Sequence, residues 1–257
     1  MSPQVKPMII IIHGGWHVPE HYRKLARALE AQGYEVHVPR LPSTNGARPP
    51  NADLFTDSLF IRSYVEGLVR TGRAVVALMH SYGGQVGTNS LYDLGLGTRT
   101  IQGQQGGIVH LLYLAAHAFP ENTAMIDKVK EFHDLELVPL TFDFADDGSC
   151  LFRDPKTLMI GPGAGNEEVD FYLRTLVRWN GRCMYQRIEH AAWRNIPVSY
   201  IYATTDMTIP LDYQKNFVEG LENSGCKVQT FELETGHCPN LTATDGIVDI
   251  VNKIIAD

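Results

Sequence analysis

Cationic clusters, long apolar runs and patterned cysteines are all missing from this chain, and each absence removes a class of function. The 22 Lys and Arg residues are outnumbered by 29 Asp and Glu, for a net charge of −7, and they gather nowhere into a patch. Binding to a phosphate backbone needs such a patch to displace counterions, so nucleic acid is not an expected partner. The apolar run Met8-Ile9-Ile10-Ile11-Ile12 falls far short of the roughly 20 residues that a membrane span requires, so no membrane partner is expected either. The polar lead Met1-Ser2-Pro3-Gln4-Val5-Lys6-Pro7 lacks the small-residue cleavage site of a secretory signal. Cys150, Cys183, Cys226 and Cys238 show neither CxxC nor zinc-type spacing, which reads as reduced thiols in a cytoplasmic protein. Internal repeats, low-complexity segments and charged tails are also missing, which leaves a scaffolding role without support.

What the chain does contain is alternation. Short β-branched runs at residues 8–12, 35–39, 74–79 and 108–115 read as buried strands. Between them, residues 20–32 place Tyr22, Leu25, Ala28 and Leu29 at helical spacing, with Gly33 as a C-cap, and residues 57–70 repeat that period. The pattern returns as strand 198–203, helix 213–222, strand 228–233 and a closing helix at 247–255. Strand–helix alternation at both ends predicts an α/β fold, a mostly parallel sheet flanked by helices. Residues 119–194 break the alternation, with an acidic Gly-ended stretch at 142–148, a Gly-rich loop at 161–165, and helical-looking stretches at 167–179 and 183–190. The strands on either side must share one core. The expected organisation is therefore a single catalytic domain, with a core of residues 1–118 and 195–257 and an inserted helical lid at 119–194.

The chemistry concentrates at three strand ends. Met79-His80-Ser81-Tyr82-Gly83 follows the run Ala74-Val75-Val76-Ala77-Leu78 and leads into Gly83-Gly84-Gln85-Val86-Gly87. A serine on a sharp strand-to-helix turn, flanked by small residues, is how a nucleophile elbow is built, although Met79 stands where the usual pattern has glycine. A serine hydroxyl needs a histidine base, and the base needs an acid to orient it. Asp206 follows the strand at 198–203 and His237 follows the strand at 228–233, giving the chain order Ser81, Asp206, His237. Asp212 and Asp245 are the competing acids nearby. The loop His13-Gly14-Gly15-Trp16 after the first strand supplies oxyanion donors, the N–H of Gly15 and Trp16, to act with the N–H of Tyr82. His117 and Trp193 are candidates to line the pocket. The four-residue spacing of His13, His17 and His21 suggests a metal, but His13-Gly14-Gly15 must be a loop, so no metal is assigned. No cofactor is expected.

These features resemble an α/β-hydrolase of the branch holding plant methylesterases, hydroxynitrile lyases and fungal esterase-like proteins of secondary metabolism. The resemblance is carried by His13-Gly14-Gly15-Trp16-His17, Gly33-Tyr34-Glu35-Val36, Leu41-Pro42-Ser43, His80-Ser81-Tyr82-Gly83-Gly84, Tyr113-Leu114-Ala115-Ala116, Asp206 with Ile209-Pro210, and Gly236-His237. It covers about two-thirds of the chain and leaves out the segment that sets substrate choice. It implies a serine hydrolase acting on a small hydrophobic ester, methyl ester or lactone. Carbon–carbon cleavage or a lyase step on the same triad is the alternative within enzymes, and a ligand receptor on this fold is the alternative outside them. Cys238 stands where the plant lyases carry lysine, which weakens a cyanohydrin-cleaving reading. A homodimer formed through the lid is compatible with the resemblance, but the sequence assigns no apolar stripe to it.

Overall fold

Six parallel strands form the centre of the molecule, in a computed structural model that describes residues 5–256. Most of the polar N-terminal lead, residues 1–4, and the terminal Asp257 lie outside that range. The strands are β1 (Met8–Ile12), β2 (Val36–His37), β3 (Ala74–His80), β4 (Gly107–Leu114), β8 (Val198–Ala203) and β9 (Val228–Leu233), in the order β2-β1-β3-β4-β8-β9. The expected second strand shortens to Val36–His37.

Both faces of the central strands are covered, which is why β1, β3 and β8 read as largely apolar runs, whereas the edge strand β9 carries Gln229, Thr230 and Glu232. Ile10, Ile12, Ala77, Met79 and Leu111 point into one core layer, and their neighbours Ile9, Ile11, Val76, Leu78 and Leu112 into the other. The second layer is closed by α1 (Arg23–Ala31) and by the last helix, α10 (Thr244–Ala256). The first is closed by α2 (Leu54–Val69), α3 (Tyr82–Ser90) and α8 (Leu211–Asn223). Asp53 caps α2 by accepting from the N–H groups of Phe55 and Thr56, so this helix starts three residues before the expected 57. A short α4 (Leu96–Ile101) precedes β4, and α9 (Pro239–Thr242) precedes α10.

The inserted segment is not wholly helical, in contrast to the expectation. It holds α5 (Met125–Glu131), α6 (Val138–Thr141) and α7 (Asn166–Thr175), together with a small antiparallel sheet of β5 (Phe142–Phe144), β6 (Ser149–Phe152) and β7 (Trp179–Asn180). The stretch 142–148, with its Gly-ended turn, is thus the start of a hairpin. The helix expected over 167–179 ends at Thr175, and Trp179 begins β7. The helix expected over 183–190 is absent. Only a 3-10 turn at Gly181–Met184 forms, because the main chain beyond it bonds outward: Ile188 N–H to Thr123 O at 3.2 Å, and Glu189 N–H to Asn89 Oδ1 at 2.7 Å. Trp179, Cys183, Met184 and Ile188 pack in the same core layer as the sheet, so insertion and sheet share one interior.

Candidate active site

The turn between β3 and α3 is tightly constrained. Ser81 adopts φ 54° and ψ −123°, a left-handed backbone that is rare for a residue bearing a Cβ. Three main-chain bonds hold it there: Ser81 N–H to Leu114 O, and the N–H groups of Gly84 and His117 to Ser81 O at 3.0 and 3.2 Å. Gly83 is required at this place, because a Cβ would collide with the carbonyl oxygen of Ile12. Met79, the departure from the usual elbow pattern, fits because its thioether occupies the space beside Gly87 where any larger residue would put its side chain.

Three strand ends converge on this turn. His237 Nε2 lies 2.9 Å from Ser81 Oγ, and His237 Nδ1–H donates to Asp206 Oδ2 at 2.7 Å. The other carboxylate oxygen of Asp206 accepts from the N–H groups of Thr208 and Ile209 at 2.7 and 2.9 Å. That fixes the tautomer: Nδ1 carries the proton, and Nε2 is left to accept from the serine. All three side chains are buried. Asp212 and Asp245 are exposed and do not reach His237; Asp212 instead accepts from the N–H of Tyr213.

The loop after β1 runs beside the elbow, with Trp16 at φ 64°. Among the described residues, the N–H groups of Gly15, Trp16 and Tyr82 take no hydrogen-bond partner, whereas Gly14 N–H is committed to the Tyr22 hydroxyl at 3.1 Å. Trp16 is fixed from two sides: its indole N–H donates to Cys150 O at 3.0 Å, and its carbonyl accepts from Val177 N–H.

A cavity of about 100 Å³ opens onto Ser81 and Tyr82. Its walls are largely apolar and come from α5 (Ile126, Val129), β5 (Phe142), α8 (Phe217) and Met184. His117 is among the residues that line it. Burial keeps that ring neutral by pushing its pKa down to about 3, opposed by the Ser81 carbonyl. Trp193 does not line it, contrary to expectation. Its buried ring packs in the core, with its N–H donating to Phe119 O at 2.9 Å.

The remaining polar groups serve as framework. His80 Nε2–H donates to the carbonyl of His237 at 2.7 Å, and its Nδ1 accepts from Tyr22 O–H at 2.6 Å. His13 accepts the N–H of Leu41, and His21 accepts that of Val18 while meeting Thr175 Oγ1. Burial lowers the pKa of His13 to about 4 and that of His21 to about 3, and holds His17 and His80 well below the usual histidine range. Cys238, next to His237, is an inert thiol whose pKa burial pushes up to about 12. Sequence reasoning missed Asp57, Ser43 and Trp179, which form a hydrogen-bonded group behind Tyr82. The available signal was a carboxylate at the helical spacing of Leu54, Ile61 and Val65, a buried face.

A mostly parallel sheet with a strained serine turn and a buried Ser–His–Asp array defines a hydrolase class. Residues 9–250 match the family described as "Alpha/beta hydrolase family", and the chain belongs to it. Two fungal relatives are each 25% identical: "Probable hydrolase R7" of Phoma sp., over 97% of this chain and 98% of the relative, and "Alpha/beta hydrolase nvfD" of Aspergillus novofumigatus, over 97% and 96%. Among solved structures, the fold is similar to a pyrethroid hydrolase from Sphingobium faniae JZ-2 (TM-score 0.72, 18% identity, 97% of both chains). It is also similar to the methylesterase MES16 from Arabidopsis (TM-score 0.73, 16% identity, 97% of this chain and 99% of that one).

Proposed function

We propose that the protein hydrolyses a carboxylic ester or lactone of a small hydrophobic substrate, without a cofactor, through an acyl-enzyme on Ser81. The reading is carried by one observation: Ser81 Oγ, His237 and Asp206 lie within hydrogen-bond distance in a buried line that opens onto an apolar cavity. Ser81 Oγ attacks the acyl carbon while His237 Nε2 removes its proton, and Asp206 stabilises the imidazolium that forms. The oxyanion is held by the N–H of Tyr82 at the start of α3 and by those of Gly15 and Trp16, groups left free for it. His237 then protonates the leaving alcohol, and water activated by the same nitrogen releases the acid. The segment 119–194 acts as a lid, in that α5, α6 and β5 cover the cavity. Methyl esters, the class named for one structural neighbour, are rational first substrates for a cavity of about 100 Å³.

The test is reaction with a fluorescent fluorophosphonate, followed by peptide mapping and an ester and lactone panel. Wild type is expected to be labelled at Ser81 and to turn over at least one ester. Ser81→Ala is expected to lose labelling and about 10⁴-fold or more in kcat. Ester turnover that survives Ser81→Ala would overturn the mechanism.

A further inference from the structure

Asp57 sits on the inward face of α2 with no exposure to solvent, and it takes no part in the line of Ser81, His237 and Asp206. A carboxylate is tolerated in a protein interior only where hydrogen bonds replace its lost hydration. Three donors do so here. Ser43 N–H donates to Oδ1 at 2.8 Å, while Ser43 O–H and Tyr82 O–H both donate to Oδ2, at 2.5 and 2.8 Å. Ser43 Oγ in turn accepts the indole N–H of Trp179 at 3.1 Å.

The groups gathered in this way lie on both sides of the oxyanion pocket. Tyr82 carries one of the free N–H groups. The Trp179 ring lies over Gly15, where a Cβ would come within 3.0 Å of it, and meets Trp16 and Tyr82 edge-on with centroids 4.7 and 4.6 Å apart. Donors aimed at a developing oxyanion work because they are fixed before the reaction, and a fixed donor needs a fixed anchor. We propose that Asp57 is a positioning residue that holds the two halves of the oxyanion hole in register, gripping Tyr82 directly and the Gly15–Trp16 loop through Ser43 and Trp179. The inference rests on the hydrolase reading above.

The anchor is sensitive to protonation. Burial raises the Asp57 pKa to about 6 against the opposing bonds from Ser43 and Tyr82, and the nearby Asp53 carboxylate adds to the rise. The other titratable groups facing it, Tyr82 on α3 and Cys183 in the turn at Gly181–Met184, are held protonated by burial. A carboxyl that gains a proton loses acceptor capacity at the oxygen where Ser43 and Tyr82 meet, so one tie slackens. Protonation of Asp57 then lowers turnover as pH falls through about 6.

The test is Asp57→Asn, which keeps size and removes charge, assayed on p-nitrophenyl acetate across pH. The expected result is a kcat lower by about tenfold or more with KM nearly unchanged, since the donors act on the oxyanion rather than the bound ester. The kcat ratio of wild type to Asp57→Asn should be largest above pH 6 and close toward one as pH falls through about 6, where wild type gains the proton that Asp57→Asn cannot. Tyr82→Phe, which keeps the N–H and loses the hydroxyl, should show a smaller kcat loss, and it carries the test if Asp57→Asn does not fold. Nitrogen-labelled tryptophan adds a readout apart from turnover: the Trp179 indole N–H resonance should titrate near pH 6 in wild type and stay still in Asp57→Asn. If wild type labels at Ser81 and turns over ester while Asp57→Asn keeps its kcat at every pH, the Asp57 role is overturned and the hydrolase reading stands. If wild type neither labels nor turns over, the hydrolase reading fails and takes the oxyanion role of Asp57 with it.

Discussion

At the scale of single residues, the site trades backbone strain at Ser81 against an unusually crowded support. The left-handed turn survives because the Leu114 carbonyl and the N–H groups of Gly84 and His117 hold it, and because Gly83 leaves the Ile12 carbonyl room. Gly83→Ala is therefore expected to lower stability by about 2–3 kcal/mol, read as a reduced urea midpoint, because the obstacle is main chain and cannot rotate away. An unchanged midpoint would show that the elbow has slack. Asp206→Asn keeps the geometry but no longer enforces the Nδ1–H tautomer of His237, and should lower kcat roughly 10³–10⁴-fold at constant fold. Near-wild-type turnover in that variant would mean another acid serves His237. Ser81, Asp206 and His237 were singled out from the sequence because each follows a short β-branched or alternating run that reads as a strand, and strand ends in a parallel sheet are where side chains meet. Trp193 was misread because an aromatic residue just before a strand looks the same whether it faces a cavity or the core. Its ring packs among the core residues and does not border the cavity at Ser81.

At the scale of elements, the core strands and helices were legible to within a few residues, whereas the inserted segment was not. The reason is physical. The sheet is held by periodic burial that a sequence displays, while residues 119–194 are held by single side chains reaching across the chain. Arg178 bonds Asp143 and Ser149, Gln186 bonds Asp53 and the N–H of Leu54, and neither leaves a period. What these elements do is narrow the cavity. Ligand pockets commonly reach about 300–1,000 Å³, and this one offers about 100 Å³. Short acyl groups are therefore expected to be preferred, with kcat/KM on p-nitrophenyl esters falling from butanoate to octanoate. Phe142→Ala should widen the space between β5 and α5 and raise the octanoate rate several-fold relative to wild type. A flat chain-length profile in both proteins would show that α5 and α6 already move aside.

At the scale of the whole molecule, the interior around the site holds several neutral histidines. His13, His17, His21 and His80 have folded pKa values far below the unfolded value of 6.5, so an unfolded chain binds more protons than the folded one as acid is added. Stability therefore rises with pH in this window, and is lost as pH falls from 6.5 toward about 4. Each such ring contributes up to about 1.4 kcal/mol per pH unit. Asp57, raised to about 6, works in the opposite sense above its unfolded value of 3.8, but it is one group against six, since His110 and His117 are lowered by burial as well. The urea midpoint should drop steeply between about pH 7 and pH 5, and a flat response would mean that the rings are already charged in the fold.

The attachment of Trp16 has a consequence for inheritance and for engineering. Its indole N–H is bonded to Cys150 in β6, its carbonyl receives the N–H of Val177, and Thr208, two residues after Asp206, donates its hydroxyl to the carbonyl of Leu158. The segment that shapes the pocket is therefore fastened to the loops that carry Trp16 and Asp206, and cannot be swapped as a free-standing cassette. A chimera that imports a relative's residues 119–194 must import that relative's partners for positions 16 and 208 as well. Specificity in this scaffold should then drift by coupled changes across both, rather than by exchange of the covering segment alone.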